Sequence, residues 1–118
     1  HRVRRIAFDP RYFSAEARHL ANHGFEVVEV QPQSAVMGDA VTDFEKAALA
    51  GAVGHDGDLV VAAHFENVEA DTDGRGSTRI GKRSNAYPID AAIAVILAHY
   101  LVLRLEPEVD VRPWAASW

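Results

Sequence analysis

Two aspartates stand where a backbone is firmly held. Asp9 follows the apolar run 3–8 and precedes Pro10, and Asp90 lies at the mouth of the stretch YPIDAAIAVILAHYLVLRL, residues 87–105. Carboxylate oxygens suit magnesium and manganese. A pair of such ions about 3.5 to 4 Å apart can activate water and stabilise the leaving oxygen of a phosphodiester. Acids from opposite ends of a chain serve that chemistry only if the fold brings a strand's carboxyl end beside a helix's amino end. Each also has a plainer reading. Aspartate before proline is common in turns, and an acid at a helix start caps it or favours its dipole. If the two carboxylates converge without an ion, like charge is expected to raise the pKa of each.

The other polar groups are less directed. His55, beside Asp56 and Asp58, could touch metal or phosphate, or simply hold its own turn. Asp39 and Asp43 fall one helical turn apart and most simply face water or favour a helix start. Lys82 and Arg83 precede the Asp90 stretch and could hold DNA phosphates, or form a solvated basic loop. Asp71, Asp73 and Gly74 lack the ligand spacing of a calcium loop. The histidines do not have zinc-protease spacing, and no Ser, His and Asp arrangement stands out. The absence of cysteine removes disulfides and thiolate-bound metals, and fits an intracellular protein.

Positioning these residues falls to a small number of elements. A chain of 118 residues makes one domain, and 48% hydrophobic with 25% charged residues is the composition of a soluble globular one. The net charge of -5 argues against a surface that coats itself with DNA, without excluding a site built from carboxylates. Residues 3–8 read as a central strand stopped by Pro10, followed by a helix over 14–22 with Ser14 as its cap and Gly24 as its end. FEVVEV makes a second strand, parallel to the first through a βαβ crossover. Residues 31–38 read as loop and about 40–49 as a helix closed by Gly51 and Gly54. After the turn HDGD, residues 59–65 lean towards helix. Residues 68–71 and 77–81 flank TDGRG as a hairpin.

The stretch 87–105 reads as a long helix buried on most sides, packed against a sheet and other elements. Its uncharged part is too short for a membrane span and contains His99 and Tyr100. Two strands are a thin sheet for this much apolar helix. Either the hairpin joins them, or further strands precede His1. The tail, with Trp114 and Trp118, is expected to dock on the domain or to continue into a longer chain. The fold class expected is therefore α/β: a parallel βαβ core, with a β-hairpin before a long buried helix.

In their order these pieces resemble the nuclease domain of the large subunit of tailed-phage terminases. The matching pieces are IAFDPRYFSAEARHLANHG, FEVVEVQPQ, MGDAVTDFEKAAL, the turn residues His55, Gly57 and Asp58 with Asn67 beyond them, and Lys82 before the pair Ile89 and Asp90. The likeness runs over residues 5–104. Leu59 departs from a usual proline, and Ala63 from a common large aromatic.

The resemblance implies the second half of a ribonuclease H-like domain over residues 1–105, with 106–118 as a tail. It implies an endonuclease that cuts concatemeric double-stranded DNA with two Mg2+ or Mn2+ ions. Asp9 and Asp90 would be catalytic ligands, with Lys82, Arg83, His55 and Asn67 binding DNA or supporting the site. The family's first catalytic aspartate comes from an opening strand that this sequence lacks, so an incomplete catalytic unit is expected. The implied partners are DNA, the terminase ATPase domain, the small terminase subunit and the portal, in the cytoplasm of a bacterial host and with no membrane. The alternatives are another ribonuclease H-like nuclease, such as a junction resolvase or transposase, and a non-catalytic prophage remnant or assembly domain.

Overall fold

A computed structural model of the chain describes residues 2–76 and 78–105. The first strand, β1, is Arg5–Phe8 and pairs in parallel with β2, Glu26–Glu29, in the register Arg5 to Glu26 and Phe8 to Glu29. Arg5 Nε lies 2.8 Å from Glu26 Oε1 at the open end of that ladder. The connecting helix α1 is Pro10–Asn22, longer than the sequence reading. Pro10 does not merely stop the strand. It occupies the first helical turn, where its missing N–H costs nothing and its fixed φ suits the helix. Asp9, not Ser14, is the cap, and Ser14 Oγ donates to the Pro10 carbonyl inside the helix at 2.7 Å. Gly24 takes the left-handed conformation, φ +90°, that lets the chain turn back into β2.

Helix α2, Ala35–Leu49, begins five residues earlier than read from sequence, capped by Ser34 through the Met37 amide. Gly38 suggested loop, yet it lies buried within the first turns of α2. A Cβ built there would stand 2.9 Å from the Thr78 carbonyl oxygen, so glycine allows a close approach of helix and strand. Helix α3, Leu59–Glu66, is capped by Asp58, whose Oδ1 accepts from Val60 and Val61. Strands β3, Val68–Thr72, and β4, Thr78–Lys82, form the expected antiparallel hairpin. That hairpin is a sheet of its own and does not join the parallel pair.

The last helix, α4, is Asp90–Arg104. It packs against α2, α3 and β1, and α2 in turn packs against β4. Val30, Met37, Ala40, Val41, Ile80, Ile96 and Leu97 make the core where these elements meet. Phe44 stacks on Phe65 at 5.3 Å between centroids and meets His99 edge-on at 5.5 Å. Burial on α4 follows a stripe of Ala92, Ile96, Leu97 and Leu101 while Val102 and Leu103 are exposed, so the helix is less enclosed than its composition suggests. Asp43 does not simply face water. It pairs with Arg104 at 3.1 Å, whose guanidinium carbon lies 3.5 Å from the Tyr100 ring centroid, tying α2 to the end of α4. Residues 106–118, including Trp114 and Trp118, lie outside the described residues. Among the described residues no helix is long and apolar enough to cross a membrane.

Candidate active site

The βαβ unit leaves Asp9 at the carboxyl end of β1, in the region where open α/β folds build their sites. Its Oδ1 accepts the Arg11 amide at 2.9 Å, which fixes the first turn of α1. The Arg11 side chain then folds back on the same carboxylate. Nε contacts Oδ1 at 3.1 Å and Oδ2 at 2.9 Å, and Nη2 contacts Oδ2 at 2.6 Å. This charge-assisted fork holds the Asp9 carboxyl below its ordinary range, the side-chain hydrogen bond from Arg11 outweighing the opposing effect of desolvation. The mutual elevation expected for two facing acids is therefore overturned at Asp9. The charge that acts on Asp9 is the guanidinium two residues away.

Asp90 arrives from the other end of the chain. It is the first helical residue of α4 and is exposed, while Ile89 before it is buried and supplies no side-chain cap. Asp90 and Asp9 line one open groove of about 410 Å³, with Ile6, Ala7, Phe8, Arg11, Tyr12 and Phe13 as the other walls. Contact between α4 and β1 sets the two carboxylates on the same side of the domain.

The remaining candidates are placed elsewhere. Asn67 is buried and saturated: Nδ2 donates to the carbonyls of Ser84 at 3.0 Å and Tyr87 at 2.7 Å, and Oδ1 accepts the Ser84 amide at 2.8 Å. It pins the segment leading into α4 and has no free polar group to offer DNA. Arg83 is exposed, and with Asn67 it lines a second groove of about 630 Å³, walled by Leu59, Val60, Ala63 and Tyr87 among others. Lys82 ends β4 on the surface. His55 lines neither groove, and its Nδ1 accepts the Gly57 amide at 3.1 Å, holding its own turn.

Two participants escaped the sequence reading. Arg11 was legible in principle, since Asp-Pro-Arg places a cation within reach of the cap. His64 was not. Its Nδ1 accepts the Ala91 amide at 2.8 Å across a gap of many residues.

Among the described residues no group of three or more His, Cys, Asp or Glu side chains stands ready to hold a metal. Asp90 is exposed and Asp9 half-buried on the same groove, and a hydrated ion of the magnesium type, which keeps several waters, takes one or two carboxylates of this kind.

Comparison with known proteins bears on the same elements. The crystal structure of the HK97 bacteriophage large terminase shares this fold, with a TM-score of 0.68 and 23% identity. The likeness covers 82% of this chain and 21% of that one, so the chain spans about a fifth of the phage protein's length. Among curated proteins no match is found. Residues 1–106 match the family described as terminase large subunit, endonuclease domain. This mixed α/β chain, with its parallel βαβ unit, its hairpin and its closing helix, belongs to the endonuclease-domain family of terminase large subunits.

Proposed function

We propose that the domain hydrolyses phosphodiester bonds of double-stranded DNA, with Asp9 and Asp90 as ligands of divalent magnesium or manganese. The observation that carries this reading is that acids from opposite ends of the chain line one open groove. Ions of this kind, when bound, activate water and stabilise the leaving oxygen. The chain's own residues do the rest. Asp90 presents an exposed carboxylate from a helix start fixed by packing. Asp9 presents a second from a strand end, where Arg11 neutralises it and where a divalent ion would have to compete with that guanidinium. Exposed Lys82, ending the hairpin, and Arg83 after it supply phosphate contacts that orient the duplex.

Within a whole terminase the cut is made in concatemeric DNA during packaging. The ATPase domain, the small subunit and the portal are the partners, in the bacterial cytoplasm. The family match favours this setting over a junction resolvase or transposase. The test is cleavage of supercoiled plasmid by a terminase polypeptide containing this domain, with Mg2+ or Mn2+ supplied. Linearisation lost in both Asp9→Asn and Asp90→Asn supports the reading. Full activity in either variant refutes that residue as a ligand, and no cleavage by the unmodified polypeptide favours a non-catalytic assembly role.

A further inference from the structure

Helix α4 starts without a cap of its own. The first amides of any helix lack intrahelical partners, and at this end Ile89 has no side-chain acceptor to offer and no side-chain capping bond is made. The Ala91 amide is satisfied instead from another helix, by His64 Nδ1 at 2.8 Å. His64 and Asn67 stand one turn apart at the end of α3. Asn67 holds the Ser84 and Tyr87 backbones before Asp90, and His64 holds the backbone immediately after it. The main-chain carbonyl of Asn67 adds a bond from the Arg83 amide at 2.7 Å.

Asp90 is thus bracketed by two side chains of α3, and its carboxylate is left outside the capping arrangement, in the groove shared with Asp9. A histidine that accepts through Nδ1 carries its proton on Nε2. The imidazole is therefore held in one tautomer by a backbone donor.

Resting on the metal reading of Asp9 and Asp90, we propose that His64 is a positioning residue: by capping α4 through Ala91 it aims the Asp90 carboxylate at the ion. Outer partners that orient ligands commonly affect metal affinity by about 10-fold to 100-fold when removed. The side-chain geometry offers a discriminating pair of variants. Asparagine places an amide oxygen near the position of histidine Nδ1. Glutamine carries its polar atoms one bond further out, near the position of Nε2.

The experiment is an NMR titration of the 118-residue chain with Mn2+, reading paramagnetic broadening around Asp9 and Asp90, together with hydrogen exchange of the Ala91 amide. His64→Gln is expected to lose Ala91 protection and to weaken Mn2+ binding roughly 10-fold, and His64→Asn to retain both. A purely structural histidine would change thermal stability in the glutamine variant while leaving Mn2+ affinity at the wild-type value, and that result overturns the proposal. If glutamine prevents folding, the asparagine variant still decides. Ala91 protected with Mn2+ affinity unchanged is the expected result, and Ala91 protected with affinity lost refutes positioning through the cap. Absence of broadening near both aspartates in the wild-type chain would instead remove the metal reading itself, a failure distinct from equal affinities across the variants.

Discussion

Arg11 grips Asp9 through both carboxylate oxygens while its own amide is capped by the same group. A cation already occupies the carboxylate that the proposed ion would need. Because this fork lowers the Asp9 pKa from 3.8, the stability Asp9 contributes is present above its unfolded value and lost as pH falls through the lower folded value. Arg11→Ala should move the Asp9 midpoint upward towards 3.8, read by carboxylate NMR titration. It should also strengthen Mn2+ binding, because the competing cation is gone. An unchanged midpoint would show that the fork does not persist in solution.

Asp90→Asn should leave the fold intact. The carboxylate makes no capping bond and is exposed, so the stability change should stay within about 1 kcal/mol, the scale of a helix-dipole contribution. Plasmid cleavage by the terminase carrying the change should fall roughly 100-fold or more, the scale lost when a group acting on developing charge is removed. Asp71→Asn, on the hairpin, serves as the control and should cleave normally. Equal losses in both variants would locate the defect outside the groove.

Asn67→Ala should be among the costliest single changes in the domain. It strips a buried side chain that satisfies two carbonyls and one amide of the segment before α4. Leaving buried groups unpaired costs about 1–3 kcal/mol each, so urea denaturation should show a loss of at least about 2 kcal/mol. A loss below about 0.5 kcal/mol, typical of surface positions, would mean that water replaces the amide without penalty.

Gly38→Ala opposes two rules. Alanine is the better helix former by about 1 kcal/mol, yet its Cβ would meet the Thr78 carbonyl oxygen at 2.9 Å. Backbone cannot swing aside as a side chain can, and overpacking costs about 1–3 kcal/mol. Net destabilisation in thermal melts is expected; stabilisation would show that β4 moves away freely.

Much of the architecture was written in local pattern. The apolar runs at 5–8 and 26–29, the Asp-Gly turns and the uninterrupted stretch after Asp90 specify strands, hairpin and final helix through period, turn chemistry and length alone. Local chemistry also held information that a coarse reading passed over. Asp9-Pro10 is a helix start as well as a strand stop, and Ser34 caps a helix whose early glycine looked like loop. Gly38 required the fold, since the strand that presses on it lies far along the chain. The site divides in the same way. The sequence supplied two aspartates at the ends of elements, and their order among neighbours resembled a nuclease. Only tertiary packing put both on one groove and brought His64 to the Ala91 amide, whereas the Arg11 fork on Asp9 is local. Local structure follows from each residue and its neighbours within a turn, whereas a contact between α3 and the start of α4 exists only after the core between α2 and α4 has closed and the helices have been docked at fixed separations.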